Sequence, residues 1–189
     1  TSANGNDANP GTSSAPLSTI KKAISLAQPN DTIYVDAGIY SGNDTINKQI
    51  TLIGAGNDLT IIYPGYSNPD PDGAGNEALY PEASNIFLIR SNNVTIRKIN
   101  LDGDNTMLNS GVSINGADID ARNGIVTDNV TGIINGLFID SVKVKNIFLK
   151  GITNTTGGSF KFSNITADNI LGNAHSYAIS NTGGSGFYI

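Results

Sequence analysis

Two lysines and several aspartates stand at alternate positions in short stretches that resemble one another. "NGADIDARNG" carries Asp118 and Asp120. "DSVKVKNIF" carries Asp140, Lys143 and Lys145. Alternate residues on a strand point to the same side. Carboxylates grouped there could hold Ca²⁺ through hard oxygen ligands. Lys143 or Lys145 could then take the proton alpha to a uronate carboxylate, with the metal stabilising the developing charge. This is the chemistry of a polysaccharide lyase.

These residues also have a plainer account. With "NNVTIRKIN" and "SNITADNIL" set beneath the two stretches, Val94, Ala117, Val142 and Ile165 share a column. Ile96, Ile119, Val144 and Ala167 share the next but one. Thr95, Asp118, Lys143 and Thr166 lie between them, and Arg97, Asp120, Lys145 and Asp168 beyond. The outer column alternates in sign, as a surface ladder of opposite charges would, each pair contributing about 0.2–1 kcal/mol. The ladder is the preferred reading, and no catalytic residue is favoured. Asp70 and Asp72, alternate around Pro71, resemble part of a calcium loop without its full spacing. Asp102 and Asp104 in "LDGDNT" are equally ambiguous. The single histidine, His175, reads as a hydrogen-bonded turn residue.

What must position these side chains is a set of short strands. Apolar residues alternate at Ile33 and Val35, at Ile50 and Leu52, and on to the C-terminus. Asn or Gly separates the runs, and no helices lie between them. A pattern recurring every 23 to 25 residues without helices predicts a β-solenoid of six to eight coils, each unable to bury its apolar face alone. One helix is expected, over 16–27, from Leu17, Ile20, Ala23, Ile24 and Ala27. Placed before the first strand, it reads as a lid on an otherwise exposed sheet edge. Residues 1–15 read as a polar arm, 16–189 as the solenoid, and 67–82 as a loop insert.

Composition narrows the function. The chain has 189 residues, a net charge of −5 and 14% charged residues, which argues against nucleic acid. No apolar run is long enough to span a membrane. The absence of cysteine excludes disulfides and thiolate metal sites. The 25 Asn and 22 Gly predict frequent turns. Six Asn-X-Ser/Thr sequons, at Asn30, Asn43, Asn93, Asn129, Asn154 and Asn164, and an opening that reads as a processed terminus, suit a secreted or cell-surface glycoprotein.

The stretch from "NGNDANPGTSSAPLSTIKKAISLAQ" through "NDTIYVDAGIYSG" to "ITLIGAG" resembles the N-terminal region of right-handed parallel β-helix proteins, the pectin-lyase-like superfamily. The resemblance covers residues 4–56. It implies an all-β, right-handed, single-stranded parallel β-helix with an N-terminal capping helix. It does not imply one activity, since many functions share that fold. The Asn-Thr-Asp, Asp-Asp and Gly-His-Gly signatures of polygalacturonase-like enzymes are absent. So are pectin methylesterase signatures beyond Gly-Ile-Tyr. A Trp-containing pectate-lyase motif is impossible without Trp. The calcium-and-lysine lyase style stays open.

Three functions are therefore carried forward. The first is an extracellular structural or adhesive β-helix with no required cofactor, whose partners are cell-surface glycans or copies of itself. Self-assembly would run end to end through Phe187, Tyr188 and Ile189, unless the polar arm covers that edge or the sequence is a fragment of a longer β-helix. The second is a Ca²⁺-dependent lyase. The third is a carbohydrate-binding module, with Tyr63, Tyr66 and Tyr80 as the aromatic candidates.

Overall fold

In the computed structural model the chain is a right-handed parallel β-helix, described here for residues 1–73, 77–128, 130 and 132–182. Asn129, Phe187, Tyr188 and Ile189, and the side chain of Asp72, lie outside the described residues. Each coil contributes to three faces. Face one stacks β1 (Thr32–Val35), β4 (Thr51–Gly54), β7 (Thr95–Arg97), β12 (Leu137–Asp140) and β14 (Phe160–Ser163). Face two stacks β2 (Gly38–Ser41), β5 (Thr60–Tyr63), β8 (Asn100–Asp102), the first half of β13 (Lys143–Asn154) and β15 (Thr166–Ile170). Face three stacks β3 (Asp44–Ile46), β6 (Asn85–Ile89), β11 (Ala121–Thr127), the second half of β13 and β16 (Tyr177–Asn181). Face one has five strands, so the described residues form five coils, fewer than the sequence repeat suggested.

The reason is two inserts, both between faces two and three. A coil without an insert takes 19 residues between Asn30 and Gln49, or 23 between Asp140 and Ser163. A coil with one takes 44 between Gln49 and Asn93, or 43 between Arg97 and Asp140. The first insert covers 64–84. The second, 104–120, carries the antiparallel pair β9 (Ser113–Ile114) and β10 (Ala117–Asp118). It leaves and re-enters at Gly103, whose carbonyl accepts from the amides of Asp120 and Ala121. A Cβ on Gly103 would lie 1.9 Å from the Asn146 carbonyl, so only glycine lets the stacked corners approach.

Inward alternation builds the core. Ile33, Val35, Ile50, Leu52, Val94, Ile96, Val142 and Val144 are buried in one cluster, and Ile165 packs partly against it. Ile119, expected with them, belongs instead to a small second cluster with Phe148 and Leu149 beneath the second insert.

At the N-terminal end, the helix α1 (Ile20–Leu26) lays Ile20, Ala23 and Ile24 on the first coil. It is shorter than its apolar pattern because Thr19 is its N-cap, accepting from Lys22 N. Asp7 reinforces that end, accepting from the Ser18 and Thr19 amides at 2.9 Å each and from the Thr19 hydroxyl at 2.6 Å. Those bonds, Thr19's first, draw its pKa down to about 2. Lys48 closes the other end, donating to the carbonyls of Ile24, Ser25 and Ala27, where a cation also meets the negative end of the helix dipole. The polar arm is folded onto its own first coil. The Thr1 ammonium donates to Tyr34 O at 2.7 Å and Asp36 N donates to Thr1 O at 2.9 Å.

Two of the buried charged groups, Arg122 and Asp44, act on this frame in opposite ways. Arg122 is fully buried. It donates to the carbonyls of Glu77 and Pro69, with Asp70 at 3.6 Å, and so pins the first insert to face three. Arg122→Ala is expected to leave the five coils folded but to make 67–82 the first site of protease cleavage. An unchanged digestion pattern would contradict this. Asp44 faces inward in the column above Phe87, 4% exposed, with Oδ1 lacking a hydrogen-bond partner. Burial raises its pKa to about 6, against a lowering by Lys21. A raised folded-state value means that Asp44 costs stability progressively as pH rises from about 4 through 6. Asp44→Asn should therefore be more stable than the parent at pH 7 by about 2–3 kcal/mol. Thermal denaturation should show the gap closing below pH 4, and a pH-independent gap would contradict the assignment.

Candidate functional site

The corners explain most of the asparagines. Asn146 and Asn169 turn the chain from face two to face three with φ of 55° and 51°. Asn takes this left-handed conformation more readily than most residues. Their amides stack as a ladder. Asn115 donates to Asn169 at 2.9 Å, Asn169 to Asn146 at 2.8 Å, and Asn146 to Asp102 at 2.7 Å. Asn30, Gln49 and Asn93 form a similar stack at another corner. Several sequons are thus corner residues. Asn30, Asn93 and Asn164 are exposed, Asn43 uses its amide to hold Asn85, Gly65 and Tyr66, and Asn154 is 1% exposed.

The charge columns require correction. Lys143 does neighbour Thr166, and Lys145 neighbours Asp168. Their partners on the other side are Asn100 and Asp102, not Asp118 and Asp120, which belong to the second insert and its return. Thr95 and Arg97 lie on a different face, opposite Phe138 and Asp140. Lys145 meets Asp102 at 2.8 Å, and that bond raises the lysine pKa. An ammonium held this way is a poor base near neutral pH. Lys143 forms no ion pair among the described residues.

The proposed calcium ligands are dispersed. Asp118 accepts from the Ser110 amide and hydroxyl within its own loop. Asp120 is fully buried, accepts from Asn105 N at 2.9 Å, and has its pKa raised by burial. Asp70 faces Arg122. Asp140 lies across the molecule on face one. No group of three metal-ligating side chains is gathered among the described residues. Of the aromatic candidates, Tyr66 donates to Ala83 O, which ties it to the insert, and Tyr63 sits on face two near Asp102 and Lys145.

Face one carries an arrangement the sequence reading missed. Its outward columns are Thr32, Thr51, Thr95, Phe138, Lys161 and Tyr34, Ile53, Arg97, Asp140, Ser163. Phe138 lies within cation–π range of two cations, Lys161 Nζ at 5.2 Å and Arg97 Cζ at 5.9 Å from its centroid. Arg97 is neutralised by Asp140 at 2.9 Å. Lys161 is exposed and makes no ion pair among the described residues. At about 4.8 Å per coil the strip runs roughly 19 Å. At its N-terminal end lies a groove of about 450 Å³ bounded by Tyr34, Leu26 and Pro10. The alternation in "FKFS" places Lys161 outward between Phe160 and Phe162, but only the register of β14 on β12 brings it to Phe138.

A family model covers residues 3–182, nearly the whole described chain. The chain belongs to the DUF1565 family. The family is described as one of unknown function. No curated protein matches this DUF1565 chain by sequence. Its fold is that of pectin methylesterases. One, in complex with hexasaccharide VII, is 14% identical with a TM-score of 0.51, covering 93% of this chain and 64% of that one. Another, PemA from Erwinia chrysanthemi, is 12% identical with a TM-score of 0.52, covering 100% and 65%. The chain therefore spans about two thirds of their length, and at this identity the likeness establishes the pectin-lyase-like fold.

Asp140 supplies a test of the strip's electrostatics. Burial would raise its pKa, but bonds from Ser163, Asn164 and Arg97 outweigh that and hold it at about 2. A depressed value contributes stability that is present above pH 4 and lost as pH falls towards 2. Asp140→Asn should cost about 1 kcal/mol at pH 7, kept small because Arg97 is partly exposed. Thermal melts should show that difference vanishing near pH 2. A cost that persists there would contradict the charge account.

Proposed function

We propose that this DUF1565 chain binds an acidic polysaccharide along face one and acts by adhesion rather than turnover. The carrying observation is Phe138 beside Lys161, which has no ion-pair partner among the described residues, and the Asp140-tethered Arg97. An aromatic surface suits the apolar face of a sugar ring, and a free ammonium suits its carboxylate. The strip's length of about 19 Å at five stacked strands admits several sugars. A protein of the same fold has been captured with a hexasaccharide, which makes a glycan the natural class to test. Asp140 is the one acid among the strand residues of face one, and hydrogen bonds from Ser163 and Asn164 with the Arg97 ion pair hold its pKa low. Hydrolytic or lyase chemistry needs a proton donor or acceptor poised near the working pH, and Asp140, held as a low-pKa carboxylate, does not suit that role. Polysaccharides of this kind lie outside cells, so the reading carries a secreted or cell-surface location with it.

Binding to immobilised polygalacturonate and to neutral galactan tests the proposal. Polygalacturonate should be retained more tightly, with affinity falling as salt rises. Phe138→Ala and Lys161→Ala should each weaken it about tenfold. Equal retention on both polymers, or parental affinity in both variants, would overturn the site. Unsaturated product formed with Ca²⁺ and lost in Lys143→Ala or Lys145→Ala would overturn the non-catalytic reading.

A further inference from the structure

A second place on the molecule combines buried positive charge with open space, away from face one. Arg122 is fully buried and Lys150 is 8% exposed, in a chain whose net charge is negative. They are close enough that Arg122, after burial itself, lowers the Lys150 pKa. The carboxylates acting on this pair do so on the Arg122 side: Asp70 at 3.6 Å, and Glu77, whose charge also raises the Arg122 pKa. Arg122 also makes three hydrogen bonds, to the carbonyls of Glu77 and Pro69. Lys150 is held by fewer contacts. Its ammonium donates to His175 O and lies 4.0 Å from the centroid of Tyr177. An ammonium has three donors, and none of the ion pairs among the described residues includes Lys150.

Beside it lies a hollow of about 570 Å³, within the range of about 300–1,000 Å³ usual for small-molecule sites. Its lining includes Lys150, Tyr177, Thr153, Thr155, Ser180 and Thr182. Tyr177 is 52% exposed and offers a ring to the cavity edge. Ser180 donates to Thr153 Oγ1 at 2.6 Å, so the two hydroxyls are fixed by each other on the floor.

We propose that this hollow on face three is a ligand site for a carboxylate-bearing sugar, the carboxylate meeting Lys150 and the ring lying against Tyr177. A nearly buried cation without a carboxylate partner among the described residues gains a charge-assisted hydrogen bond from such a ligand. The site needs nothing from Phe138 or Lys161, so it stands or falls apart from the binding strip on face one.

Titration calorimetry with galacturonate, galactose and acetate tests it on the full chain. Galacturonate should bind at least tenfold more tightly than galactose, which lacks the charge, and than acetate, which lacks the ring. Lys150→Met should reduce galacturonate affinity at least tenfold. Tyr177→Leu should weaken galacturonate and leave acetate unchanged; Tyr177 is exposed, so this variant carries the test if Lys150→Met fails to fold. Running the same titrations in a Phe138→Ala background, where the face-one strip is weakened, separates this hollow from that strip. Equal binding of galacturonate and galactose overturns the proposal, as does parental affinity in a folded Lys150→Met or in Tyr177→Leu. Acetate binding as tight as galacturonate overturns the sugar assignment.

Discussion

Every feature of this chain depends on one constraint: successive coils must stack in parallel register with apolar side chains inward. Each coil alone exposes both its backbone edges and its apolar face. Stacking satisfies the backbone groups and joins Val94, Ile96, Leu137, Ile139 and Phe162 into one core. The corners are where the constraint is tightest. Asn146 and Asn169 adopt φ values that few residues tolerate, and Gly103 allows an approach no side chain could share. The amide ladders then hold each corner over the last.

Because the inside is fixed, variation is confined to the outward columns and the corner inserts. Face one receives Phe138, Lys161 and the Arg97–Asp140 pair. Face two receives Asp102 and Lys145. Face three receives the first insert, anchored by a guanidinium that satisfies backbone carbonyls and also faces Asp70. The ordered first coil depends on equally specific contacts, Asp7 and Lys48 at the two ends of a seven-residue helix. A helix that short would be marginal alone.

Much of this was legible in the sequence. The alternation at Ile33 and Val35, the cap helix pattern and the motifs of residues 4–56 identify a β-helix before any coordinate. The alignment of "DSVKVKNIF" with "SNITADNIL" gives the true register of Val142, Lys143 and Val144 against Ile165, Thr166 and Ala167. It failed for "NNVTIRKIN", whose partner is "GLFID" one face away, and for "NGADIDARNG", which belongs to the second insert and its return. All three faces alternate alike, so periodicity cannot tell one from another, and inserts hide the longer true separations. The paired lysine ladder was therefore half right, and the face-one strip was hidden. Arg122 and Lys150 were illegible for a different reason: their partners are carbonyls and rings supplied by distant loops, which leave no pattern in sequence.

The claim on which the functional account rests is that face one is where a polysaccharide lies. The most direct measurement is a backbone amide NMR titration of the chain with an oligogalacturonate. The account predicts that shifts concentrate at Thr95, Arg97, Phe138 and Lys161 and extend towards Tyr34, following the stacked strands of face one. Shifts confined to the inserts around Tyr66 or Asp118, or none anywhere at saturating oligosaccharide, would contradict it.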